Sequence, residues 1–86
     1  MEQHYISKKA KKGLKKIQKD PNLLNRLNEL LASIEQDPTS GIGKPEELVG
    51  DLAGYWSRRL DKQHRLVYKV EDEKIIILSC WGHYED

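Results

Sequence analysis

Three runs in the second half of the chain, GYWSRRL (54–60), HRLVYKV (64–70) and KIIILSCW (74–81), are rich in β-branched and aromatic residues. Only DKQ and EDE separate them. Connectors this short and polar suit antiparallel hairpins, because a parallel pair needs a crossover of a dozen or more residues. The spacing therefore predicts a three-stranded antiparallel meander. A meander with one apolar face must be covered by something.

The cover lies upstream. Asp20-Pro21 is a helix start: the carboxylate can accept from free first-turn N–H groups, and proline suits the first helical position. From there Leu23, Leu24, Leu27, Leu30, Leu31 and Ile34 recur at helical spacing, up to the stop at Asp37-Pro38. Before it, Ser7 can cap a shorter helix to about Lys19, with Ala10, Leu14 and Ile17 on its apolar side. The short stretch QHYIS ahead of that helix can add an edge strand. The expected fold class is α+β, one domain over residues 1–86, with an N-terminal helical hairpin packed on an antiparallel sheet.

Between hairpin and meander, PTSGIGKPEELVGDLAG (38–54) holds two prolines and four glycines and reads as a loop. A loop this long in a small domain is often functional. No apolar run approaches the roughly 20 residues needed to cross a bilayer, and the N-terminal MEQHYISKKAKK carries no apolar signal core. The one cysteine, Cys80, excludes an intramolecular disulfide, and the three histidines show no zinc-ligand spacing. A cytoplasmic, metal-free and cofactor-free protein with no membrane partner is expected.

Charge is unevenly spread. Residues 1–19 hold seven lysines (8, 9, 11, 12, 15, 16 and 19) against the single acid Glu2. Such a run is either a solvated helix face or an electrostatic footprint for nucleic acid.

Turn lengths give an expected register. A first turn centred on Lys62 sets Arg59 opposite Arg65, and a second centred on Asp72 sets Arg65 opposite Ser79. With alternating side chains, Arg59, Arg65, Ser79, Trp81 and His83 then share one face. Trp56, Leu60, Leu66, Tyr68, Val70, Ile76, Leu78 and Cys80 form the other, which receives the helices. Two facing arginines repel unless something anionic lies between them. Nearby carboxylates such as Asp61 or Glu71 are one candidate, and a phosphate, which arginine binds in bidentate fashion, is the other. His83 on that face is a proton donor or acceptor suited to neutral pH. His4 and His64 have weaker claims, His64 being expected to face away from the arginines. Glu46, in the Gly/Pro loop, is the carboxylate best placed to act as base if the loop folds over the sheet.

These residues carry a resemblance. GKPE (43–46), GYWSRRL (54–60), HRLVY (64–68) and the terminal HY (83–84), in that order and spacing, closely resemble the C-terminal half of YoeB-type toxins of the RelE/ParE toxin–antitoxin superfamily. The resemblance is strong over roughly half the chain, and the N-terminal half agrees only in its short strand and helical hairpin. It implies a RelE-like microbial ribonuclease-type fold and a metal-independent endoribonuclease that cuts mRNA in the ribosomal A site.

By the same resemblance Glu46 is the general base, Arg65 and Arg59 hold the scissile phosphate, His83 is the general acid, and Tyr84 positions the RNA. Several relatives carry a lysine where this chain has Val49, a charge that Lys44 or Lys62 could supply. Lys8, Lys9, Lys11, Lys12, Lys15 and Lys16 become candidates for docking on rRNA phosphates of the 70S ribosome. A cognate antitoxin, homodimerisation, and operator DNA binding only through the antitoxin complex are also implied. Relatives commonly stop at HY, whereas Glu85 and Asp86 follow here: their carboxylates could raise the His83 pKa or repel RNA. A ParE-like gyrase-inhibiting toxin and a non-enzymatic interaction module are the alternatives. The gyrase-directed relatives lack the Glu/Arg/His constellation.

Overall fold

The computed structural model describes residues 4–82. His83, Tyr84, Glu85 and Asp86 lie outside the described residues. The chain runs as β1 (His4–Ile6), α1 (Lys8–Ile17), α2 (Pro21–Gln36), β2 (Glu46–Glu47), a 3₁₀ turn (Gly50–Leu52), β3 (Trp56–Arg59), β4 (Arg65–Glu71) and β5 (Lys74–Ser79).

Both helices start where their caps dictate. Ser7 Oγ accepts the Ala10 N–H at 3.0 Å, and Asp20 Oδ1 accepts those of Asn22 and Leu23 at 3.0 and 3.3 Å. α1 ends at Ile17, about two residues before the expected stop, and α2 ends at Gln36 as the Asp37-Pro38 pair requires. Ala10 and Ile17 of α1 pack with Leu27, Leu30 and Ile34 of α2 against Leu60, Leu66, Tyr68, Ile75, Ile77 and Cys80 of the sheet half. Full burial of each Leu or Ile contributes roughly 1.5–3 kcal/mol, so this layer contact is the main stabiliser of the fold.

The sheet has five strands in the order β1-β5-β4-β3-β2. The β3-β4-β5 meander is antiparallel, as expected. The sheet as a whole is mixed, because β1 pairs with β5 in parallel, His4 opposite Ile75 and Ile6 opposite Ile77. The helical hairpin between β1 and the meander supplies the crossover such a pair needs. At the opposite edge the Gly/Pro loop contributes β2, antiparallel to β3. Among the described residues no helix is long and apolar enough to cross a membrane.

The first hairpin has the expected register, with Trp56 opposite Tyr68 and Arg59 opposite Arg65. The second does not. Asp72 and Glu73 both take left-handed backbone, φ 53° and 63°, so the turn has two residues and Glu71 faces Lys74. This shifts β5 by one residue, and Ile75 and Ile77, rather than Ile76 and Leu78, enter the core. A bulge follows: Tyr68 faces Ile77 but Val67 faces Ser79, leaving Leu78 as the extra residue. Ser79 therefore lies opposite Val67, not Arg65. The two shifts cancel in parity, so Ser79 still shares the Arg65 face and Cys80 still reaches the core.

Candidate functional site

The tandem arginines of β3 do different things because a strand sends neighbours to opposite faces. Arg58 points into the core with none of its surface exposed. Its guanidinium donates to Tyr68 Oη (3.0 Å), Ser33 Oγ (2.7 Å), and the carbonyls of Ile42 (3.1 Å), Asp37 (2.8 Å) and Ser40 (2.9 Å). Tyr68 donates in turn to the Pro38 carbonyl at 2.6 Å, and its burial pushes the phenol pKa up. Arg58 thus fastens the 37–42 segment to the sheet. Gly41 and Gly43 are required beside it: both have positive φ, and a Cβ would meet Ser33 Oγ at the first and Leu30 Cδ2, at 2.7 Å, at the second. In the chain emerging from this knot the Gly43 carbonyl accepts the Arg59 N–H (2.7 Å), and the chain continues into β2.

The opposite face carries the candidate site. Arg59 is exposed and directly faces Arg65. The Arg59 N–H points to Gly43 and the Arg65 N–H to the Gly82 carbonyl at 3.0 Å, away from each other. They form a non-hydrogen-bonded pair, the closer of the two antiparallel spacings, with Cα atoms about 4.5 Å apart. Two guanidinium groups so placed concentrate positive charge at one spot.

Glu46 pairs with Ser57, two residues from Arg59 along β3, and so shares the arginine face. Glu47, opposite Trp56, has the other parity. The loop acid of the sequence reading is therefore an edge-strand acid, diagonal to Arg59 at about 7–8 Å between Cα atoms. Lys44, exposed at φ 53°, stands between the Gly43 anchor and Glu46. Val49 is 84% exposed.

Ser57 lies on the same face, wholly buried, and its hydroxyl has no hydrogen-bond partner among the described residues. Nothing in the sequence marks it. Lys69 reaches across to the Tyr55 ring (5.0 Å) and pairs with Glu71 (3.0 Å), whose carboxylate holds the ammonium pKa up.

One expectation fails at the end of β5. Trp81 lies not on the arginine face but against the core, stacked on His64 with ring centroids 3.8 Å apart. β5 ends at Ser79, so strand alternation no longer sets the side of Trp81. His64, expected to face away from the arginines, is buried and carries the stacked Trp81 ring. His83 and Tyr84, the expected acid and RNA-positioning residues, lie outside the described residues.

The remaining candidates divide clearly. Lys8, Lys9, Lys11, Lys12 and Lys15 are exposed on α1, in the helical layer across the sheet from Glu46 and Arg65. Lys16 sits over the Trp81 ring at 5.3 Å. Cys80 is a core residue: burial pushes its thiol up to about 11, which makes it a poor nucleophile. Among the described residues no group of three or more His, Cys, Asp or Glu is gathered as a metal would need.

Residues 4–84 match the family described as YoeB-like toxin of bacterial type II toxin-antitoxin system. A Toxin YoeB from Synechocystis is 52% identical over 68 residues, 79% of either chain. The fold superposes on the heterotetrameric YoeB–YefM toxin–antitoxin complex of Staphylococcus aureus with TM-score 0.90 and 43% identity, covering 98% of this chain and 99% of that one. It also superposes on the YoeB dimer of the same organism, with TM-score 0.88 and 44% identity over 96% and 98% of the two chains.

Proposed function

The chain belongs to the family of YoeB-like toxins of bacterial type II toxin–antitoxin systems, and on that premise we propose that it is a ribosome-dependent mRNA endoribonuclease. The observation that carries the reading is the common face of Glu46, Arg59 and Arg65. That face offers a carboxylate beside two guanidinium groups, the requirement for moving a proton off a ribose hydroxyl next to a phosphate.

Glu46 takes the proton from the 2′-hydroxyl, and O2′ attacks the adjacent phosphorus. Arg65 and Arg59 hold the non-bridging oxygens, whose negative charge grows in the transition state. The bond from phosphorus to O5′ breaks, and His83 protonates the leaving oxygen. No water is consumed, so the products are a 2′,3′-cyclic phosphate and a 5′-hydroxyl. Side chains alone balance the reaction, without a metal. Lys44 adds a phosphate contact and Tyr84 holds the RNA.

The α1 lysines dock on rRNA phosphates, an attraction that needs no sequence reading. They face away from the site, so rRNA and mRNA are engaged on opposite layers. The chain acts in the cytoplasm, where mRNA is translated. As in the Staphylococcus aureus relative, an antitoxin binds it, and it self-associates as a homodimer. Operator DNA is bound only through the antitoxin complex.

Inducing the chain in bacteria and mapping mRNA 5′ ends tests this. The expected result is growth arrest with new 5′ ends inside translated codons. Arrest with intact mRNA and supercoiling-deficient DNA would instead favour a gyrase-directed toxin.

A further inference from the structure

His64 sits in the turn between β3 and β4, yet only 9% of it is exposed. Its backbone is fixed on both sides. The carbonyl accepts from Leu60 and Asp61 N–H at 2.9 and 3.2 Å, and its N–H donates to Asp61 Oδ1 at 2.7 Å. The ring stacks on Trp81 with an interplanar angle of 25°. Its Nδ1 accepts the Gly82 N–H at 2.8 Å, which puts the ring proton on Nε2. The next residue, Arg65, donates its own N–H to the Gly82 carbonyl at 3.0 Å. Two consecutive residues thus hold the N–H and the C=O of Gly82.

Trp81 is in contact with α1 as well. Lys16 lies over the ring, and a Cβ on Gly13 would stand 2.9 Å from Trp81 Cβ, so α1 closes on it at a glycine. Gly82 itself has φ +81° with open space where a Cβ would go. Its backbone turn, not packing, demands glycine. These contacts fall on Trp81 and Gly82, the two residues before His83.

We infer that His64 is a positioning residue: by accepting the Gly82 N–H and stacking on Trp81, it fixes where and in which direction the chain leaves the sheet toward His83. The inference rests on the ribonuclease reading, in which His83 is the general acid. A proton donor displaced by about 1 Å can lose on the order of a hundredfold in rate. Arg65 and the start of the acid-bearing segment are then set by adjacent residues, so phosphate clamp and acid are aligned together.

Two variants separate the ring's roles. His64→Phe keeps the stack and removes the acceptor. His64→Asn places an oxygen near the Nδ1 position and gives up the stack. The readouts are single-turnover mRNA cleavage on programmed ribosomes, ribosome affinity, and hydrogen exchange of the Gly82 amide. The expected result for His64→Phe is an unprotected Gly82 amide and cleavage slower by roughly tenfold or more, with ribosome affinity unchanged. His64→Asn should recover most of both the protection and the rate. The inference is overturned if His64→Phe cleaves as wild type, if His64→Asn falls as far as His64→Phe, or if ring ¹⁵N shifts in wild type place the proton on Nδ1. Should wild type cleave no mRNA while Gly82 protection still follows the acceptor, the ribonuclease reading falls and the hold of His64 on Gly82 stands.

Discussion

Arg58→Met should be the most damaging conservative change in the β3 arginine pair. Methionine retains the apolar stem but deletes all five donated hydrogen bonds. Bonds from a charged donor contribute about 1.5–3 kcal/mol each, but they do not simply add. The carbonyls of Asp37, Ser40 and Ile42 belong to exposed residues and can rehydrate. Ser33 Oγ still accepts from Ile42 N–H, and Tyr68 still donates to Pro38. The guanidinium also no longer has to be desolvated. The net loss is then that of the two or so bonds not recovered, about 3–5 kcal/mol. An 86-residue domain has about 4–13 kcal/mol in all, so most of it would go. With a urea m-value near 1 kcal/mol/M, the midpoint should fall by roughly 3 M. Arg59→Met, on the exposed face, should stay within about 0.5 kcal/mol. Arg58→Lys should recover little, because one ammonium cannot span five acceptors on two sides. An Arg58→Met midpoint equal to that of Arg59→Met would refute the argument that the 37–42 segment depends on this side chain.

Two further expectations concern charge. Asp37 accepts from Thr39 N–H, Thr39 Oγ1 and Ser40 Oγ, and these bonds, with Arg58 nearby, hold its carboxyl below the usual aspartate range. A depressed carboxyl stabilises the fold above the unfolded value and loses that contribution as pH falls through the folded one. Thermal midpoints of wild type should therefore fall more steeply below about pH 4 than those of Asp37→Asn; parallel curves would contradict this. Replacing Lys8, Lys9, Lys11 and Lys12 with Gln should weaken ribosome binding and flatten its salt dependence by roughly 0.7–0.9 in log–log slope for each lost phosphate contact. An unchanged affinity would return α1 to a merely solvated face.

The helices were legible because their signals are local: Ser7, Asp20-Pro21 and a leucine stripe with one period. The first hairpin was legible because DKQ fits the three-residue turn that Asp61 closes by accepting from Gln63 and His64 N–H. Its register alone put Arg59 against Arg65. The second hairpin was not, since two successive acidic residues in left-handed backbone are not what turn propensities suggest. The uniformly apolar IIIL gives no alternation from which parity or a bulge could be read. Of the two arginines in SRR, the register reading placed Arg59 and gave Arg58 no face. Yet Arg58 shares parity with Trp56 and Leu60, and that signal could have placed it inside, against the usual rule for arginine. Trp81 was misplaced because the strand was expected to run on past Ser79, where it ends. Ser57 and His64 owe their positions to contacts distant in sequence, which periodicity cannot supply.

The central claim is that Glu46, set beside the arginine pair by the β2–β3 register, removes the 2′-hydroxyl proton. The most direct measurement is single-turnover cleavage of mRNA on programmed ribosomes by wild type, Glu46→Ala and Glu47→Ala, with the 3′ ends analysed chemically. Wild type and Glu47→Ala should leave 2′,3′-cyclic phosphates at similar rates. Glu46→Ala should be slower by about 10²–10⁴-fold at unchanged ribosome affinity. A Glu46→Ala rate equal to wild type, or 3′-hydroxyl ends from wild type, would contradict the account.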